Sequence, residues 1–144
     1  MNISEVRQEL ANAVAVIPGF IGYGYAPDSI TVPCFVPTEV ELEVNQSFGG
    51  YDKATITCHV LVSAADDEFG QKLLDELLSR TGSRSVRAAL NAAKGEPGDY
   101  ALNGAADAFT ITRIQGYRKY TFGETEKYFG AEIVIEVLGK NEGD

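Results

Sequence analysis

Between residues 128 and 138 the chain alternates side chains with a period of two. Phe129, Ala131, Ile133, Ile135 and Val137 occupy one set of positions, and Tyr128, Gly130, Glu132, Val134 and Glu136 the other. Successive side chains of a strand point to opposite faces, so this pattern demands a sheet with one face buried and one face wet or used for contact. Two further stretches obey the same rule. Val40, Leu42 and Val44 alternate with Glu39, Glu41 and Glu43, and Ile56, Cys58, Val60 and Val62 alternate with Thr55, Thr57, His59 and Leu61. The Gly-containing connector 46–53 between them is longer than a two-residue turn, which predicts a long β-hairpin.

Helical spacing appears in two places. Ile3, Val6, Leu10, Ala13 and Ile17 recur on one face over residues 3–16, with Asn2 as N-cap, Glu5 three residues later and Pro18-Gly19 as the stop. A second helix is expected over 67–80, capped by Asp66 or Asp67, with Phe69, Leu73 and Leu77 on one face, Leu74 and Leu78 widening it, and Gly82 beyond its end. A shorter third begins at Ser83 or Ser85 and carries Val86, Ala89, Leu90 and Ala93. Residues 21–26 read as a short strand whose Gly22, Gly24 and Ala26 leave one face bare for another element or a neighbouring subunit. Pro33 and Pro37 place 33–37 in an edge strand, 95–106 reads as a loop, and 107–116 and 118–122 read as separate strands. The order α–β–β–β–β–α–α–β–β–β predicts an α+β fold: a mostly antiparallel sheet, with the N-terminal helix and the central helical pair on one face. A single domain over 1–138 and a disordered tail over 139–144 complete the expectation.

Charge and composition narrow the function. Twenty-one Asp and Glu against 12 Lys and Arg give a net charge of −9. A duplex-DNA reader needs the opposite balance, whereas a conduit through which DNA slides without sticking is better neutral or acidic. Acidity for solubility alone is the plainer alternative. Cys34 and Cys58 lie in apolar runs without metal or disulfide spacing, so both should be reduced, buried and inert. Neither a signal peptide nor a run of about 20 apolar residues is visible.

Catalytic chemistry finds no foothold. His59 is the single histidine, and as the strand neighbour of Cys58 it points to the opposite face, so the two cannot act as a dyad. Asp66-Asp67-Glu68 is explained by helix capping and the helix dipole without a metal. Gly22-Tyr23-Gly24 lacks the third glycine and the following helix of a dinucleotide fingerprint. The expectation is no catalytic residue, no cofactor and no metal. Surfaces suited to contact remain. Glu39, Glu41 and Glu43 form an acidic row, either a solvated face or a wall facing DNA. Phe48, Tyr51 and Asp52 at the connector either fold back on the sheet or meet a partner, and Tyr23, Tyr25 and Tyr128 are further candidates for an assembly interface.

The succession of phrases is itself distinctive. "ISEVRQELANAVAVIPG" leads into "YGYAPDSITVPC", a Glu-rich strand, the connector and helices of "NQSFGGYDKATITCHVLVSAADDEFGQKLLDELLSRTGSRSVRAAL", then "ITRIQGYRKYTFGE" as a hairpin and a final "YFGAEIVIEV" strand. Over residues 3–138 this resembles the small tail terminator (head-to-tail connector) proteins of long-tailed bacteriophages infecting actinobacteria. The resemblance implies a non-enzymatic virion protein of the neck, assembled in the host cytoplasm. Its subunits close into a six-membered ring that caps the tail tube, stops tube polymerisation and docks the head-side connector or stopper, with DNA passing through the lumen. Another neck component, such as a head-completion or stopper protein, is the nearest alternative; a small enzyme or ligand-binding domain is the more distant one.

Overall fold

The computed structural model describes residues 1–47, 50–64, 67–95, 100–122 and 126–140. These residues form the expected α+β arrangement, and among them three α-helices lie on one face of a five-stranded, mostly antiparallel sheet. Helix α1 (Ile3–Val14) starts at Asn2, whose side-chain oxygen accepts from the Glu5 amide and so supplies one partner a helix N-terminus lacks. Strand β1 (Ile21–Gly22), β2 (Cys34–Ser47) and β3 (Tyr51–Ser63) follow, then α2 (Asp67–Leu78), α3 (Val86–Ala92), β4 (Ala108–Phe122) and β5 (Glu126–Lys140). Of the two caps expected for α3, Ser85 is the one used: its hydroxyl accepts from the Ala88 amide. Asp66 lies outside the described residues.

The sheet order is β1-β2-β3-β5-β4, parallel only between β1 and β2. The two long hairpins, β2–β3 and β4–β5, meet at the central β3–β5 pair, which runs from Tyr51↔Lys140 to Ser63↔Tyr128 without a register shift. Even-numbered residues of β3 and odd-numbered residues of β5 pack under the helices. There Val6, Leu10 and Val14 of α1, Leu74 and Leu77 of α2 and Leu90 of α3 bury against Ile56, Cys58, Ile133 and Ile135. Burial of this apolar face stabilises the fold at roughly 25 cal/mol per Å² of apolar surface.

Four expectations are corrected. Residues 33–37 and 39–45 belong to one strand, because a bulge between Pro37 and Glu39 resets the alternation. Cys34, Val36, Glu39, Glu41 and Glu43 therefore share a face despite their mixed parity. Likewise 107–116 and 118–122 are one strand, β4, kinked at a bulge between Gln115 and Arg118 where Gly116 adopts φ +65°. The strand expected over 21–26 shortens to Ile21–Gly22. Finally, Gly139 and Lys140 are not tail but strand: Gly139 pairs with Asp52, and the Lys140 amide donates to Asp107 Oδ2 at 2.8 Å. The last four residues lie outside the described chain.

The prolines sit as edge chemistry requires. Ile21 and Tyr23 donate to the carbonyls of Pro33 and Phe35, so the odd residues of β2 here turn their backbone groups towards β1. Two residues further on, Pro37 presents its missing N–H to the same side, past the end of β1, where no ladder bond is lost. Beyond Phe35, the outer edge of β2 has no strand partner among the described residues. The loop expected over 95–106 contributes a plug where it is described. The Leu102 amide donates to the Ala93 carbonyl, and the Leu102 side chain is buried in the core despite a left-handed φ of 52°.

Candidate functional site

The face of the sheet away from the helices holds the chain's concentration of polar chemistry. Its floor comes from Thr55, Thr57, His59 and Leu61 of β3 and Gly130, Glu132, Val134 and Glu136 of β5. At one end a small second apolar cluster, Cys34, Val36, Leu61 and Tyr128, is covered by Ile30 and Val32 of the segment joining β1 to β2.

In the middle lies His59. Thr38 Oγ1 is 2.9 Å from its Nδ1 and 3.2 Å from the Thr57 carbonyl oxygen. The hydroxyl has one proton; donating it to Thr57 leaves its lone pairs to accept from Nδ1–H, so one tautomer satisfies both contacts. Tyr120 stacks edge-on against the imidazole, centroids 4.8 Å apart and rings at 83°. The Tyr120 hydroxyl donates to the Gly116 carbonyl, Glu132 Oε1 lies 3.4 Å from it, and the Arg118 guanidinium sits 4.7 Å over the ring. Gly130 makes this packing possible, since a Cβ there would fall 2.6 Å from Leu61 Cδ2 and 3.1 Å from Tyr120 Cδ2. Burial lowers the His59 pKa below 6.5 against the opposing pull of Glu132 and Glu39, so the ring is neutral at pH 7.

The thiols are placed apart from this group. Cys58 lies under the helices and Cys34 in the second cluster, on opposite faces of the sheet. Burial pushes the Cys34 thiol up to about 12 and raises Cys58 as well, which leaves both as protonated thiols at neutral pH. The cleft lined by Met1, Asn2, Glu5, Tyr100, Asp107 and Lys140 lies at the helix-side end of β5, away from His59. Among the described residues no three His, Cys, Asp or Glu side chains converge as a metal site.

The sequence-predicted contact residues divide. Glu39 and Glu41 are exposed on the open face and make no ion pair among the described residues, while Glu43 lies 4.0 Å from Lys53, which also reaches Glu136 at 3.4 Å. Tyr25 is exposed, with the Arg7 guanidinium 4.7 Å over its ring, and Tyr51 is half-buried at the end of the central ladder. Three others are covered by the chain itself. Asp52 and Tyr128 are buried, and the Tyr23 hydroxyl accepts from the Thr31 amide, holding the covering segment in place. Phe48 lies outside the described residues. The bare face of Gly22 and Gly24 is also spent within the chain, because α1 lies against it: a Cβ on Gly22 would meet Ala11 O at 2.3 Å.

Sequence reasoning missed the counterpart of the glutamate row. Strand β4 carries Arg113, Arg118 and Lys119 and no carboxylate over its whole length, and Arg113, Gln115 and Arg118 line up on the open face. The signal was present in the composition of that segment. No protein-family model matches the chain, and no curated protein matches it.

Proposed function

We propose that this chain is a structural subunit of a phage neck, a tail terminator that works by ring formation and carries out no catalysis. The observation that supports this reading best is the sheet itself. Its open face and outer edges keep charged residues exposed, with acidic side chains along β2 and basic ones along β4. Such polarity suits heterologous contacts, in which one patch meets a different patch on the next copy, and contacts of that type close into rings. The chemistry of the open face fits the same reading. His59 is held between Thr38 and Tyr120 on a sheet surface, and both thiols are buried. In the proposed ring, tube and head-side proteins dock on the two rims and DNA passes through the lumen.

Native mass spectrometry with negative-stain imaging of the purified chain tests the proposal; closed rings, six-membered by resemblance, are expected. Antibody or gold labelling of virions should place the chain at the head-proximal end of the tail tube. Labelling at any other position would overturn the assignment.

A further inference from the structure

The two free edges of the sheet carry opposite charge at matching spacing, which assigns a copy-to-copy contact that the ring reading leaves open. On β2, Glu39, Glu41 and Glu43 point to the open face, and Leu42 and Val44 are 45% and 61% exposed on the other side of the same edge. On β4, Arg113, Gln115 and Arg118 point to the open face and Ile114 lies on the helix side. The β5 partners of Arg113 and Arg118 are Val134 and Gly130, four residues apart; Glu39 and Glu43 are also four residues apart on their strand. At roughly 3.3 Å per residue both separations come to about 13 Å.

From these matches we infer that β4 of one copy lies antiparallel beside β2 of the next, with Glu43 opposite Arg113, Leu42 opposite Ile114, Glu41 opposite Gln115 and Glu39 opposite Arg118. The direction is set by the topology. In the order β2-β3-β5-β4 every pair is antiparallel, so β4 runs opposite to β2. A copy added edge to edge with the same face up therefore presents an antiparallel neighbour. Directly opposite residues of such a pair share a face, which sets carboxylate against guanidinium above the sheet and Leu42 against Ile114 below it. The extra residue at the Gly116 bulge brings Arg118, and not Tyr117, opposite Glu39. Pro37 and β1 end the contact, since both occupy the edge beyond Glu39.

The register also fixes a step between copies. Within one chain Glu39 is level with Arg113 through Thr57 and Val134. Bringing Glu43 to that level displaces each copy along the strands by four residues, about 13 Å. A stagger of this kind is what tilts strands in a closed array.

Sedimentation velocity on the full chain tests the contact, using E39K/E43K and R113E/R118E with folding checked by far-UV circular dichroism. Wild type should associate at low salt and dissociate as salt screens the pairs. Each variant should be a folded monomer, and their equimolar mixture should associate again, because reversed β2 then meets reversed β4 and the native edges meet each other. A wild type that stays monomeric at its solubility limit, variants that associate like wild type, or a mixture of two folded variants that remains monomeric would each overturn it. Rings that survive both reversals would overturn this contact and leave the neck reading standing. Salt-sensitive pairing of a chain absent from the head-proximal end of the tail tube would do the reverse.

Discussion

Gly22→Ala should destabilise the protein by about 2 kcal/mol, and the reason lies in one contact. A Cβ at residue 22 would stand 2.3 Å from Ala11 O, 2.9 Å from Val14 Cγ2 and 3.0 Å from the Ala11 carbonyl carbon. The oxygen cannot turn aside, because it accepts from the Ala15 amide at 3.1 Å as part of the end of α1. The helix would have to withdraw by roughly 1 Å to restore ordinary contact distances, a gap that forfeits a quarter to a half of each contact's dispersion energy. Val6, Leu10, Ala11 and Val14 all bury on that side. Overpacking of this kind costs about 1–3 kcal/mol, and a backbone obstacle puts it near the top of the range. Gly22 has an ordinary backbone conformation, so alanine also restricts the unfolded chain and returns about 0.4–1 kcal/mol. The net of about 2 kcal/mol corresponds to a melting point lower by roughly 4–8 °C for a chain of this size. Urea unfolding followed by far-UV circular dichroism should show a lower midpoint at unchanged slope. Gly24→Ala is the internal control: its Cβ comes nearest the flexible Gln8 Oε1, at 3.3 Å, with backbone atoms of Arg7 and Gln8 at an ordinary 3.6 Å, and should change stability by less than about 0.5 kcal/mol. Equal stability of Gly22→Ala and wild type, or equal losses in both variants, would refute the reasoning.

Leu102→Ala should cost about 2–4 kcal/mol in the same assay, and the left-handed backbone at this position gives no relief, because alanine keeps the Cβ that causes its strain. His59 is harder to protonate in the folded protein than in the unfolded chain, so its share of stability is intact above about pH 6.5 and is lost as pH falls below that value. A His59→Gln variant should accordingly show a shallower loss of stability with acidification, read from urea midpoints at successive pH values. Equal slopes would mean the imidazole titrates normally. Cys34 and Cys58 should resist a thiol reagent in the native protein and both react in denaturant; rapid native labelling of either would contradict its burial. Gly130→Ala should separate Tyr120 from His59, seen as loss of the ring-current shift on the imidazole protons in a proton NMR spectrum.

The features legible in the sequence are mostly those that local periodicity dictates. The alternation at 128–138 gave the buried face of β5, and Asn2 and Pro18-Gly19 bracketed α1 because capping and helix breaking act within a few residues. The joins were lost where a bulge resets the period. Thr38 and Gly116 each shift the phase by one, so a continuous strand reads as two. The Gly22-Gly24 face was recognised as bare, but whether α1 or another subunit filled it depends on packing between segments more than ten residues apart. Tyr128 read as surface because it occupies the wet parity of its strand, and Asp52 because it falls in the connector. Tyr128 is instead covered by the segment between β1 and β2, and Asp52 lies on the helix side beside Gly139. The glutamate row was visible, whereas its pairing with Lys53 and the matching row on β4 needed the strand order.

The central β3–β5 ladder has mechanical consequences. Thirteen residue pairs run there in one unbroken register, whereas β2–β3 and β4–β5 are each interrupted twice. Load applied along the strands would have to shear many hydrogen bonds at once in the middle of the sheet, while the bulged outer strands can twist and bend at single residues. The subunit is thus a stiff spine with compliant margins, and a ring of such parts would take up its curvature at the seams and keep each spine straight.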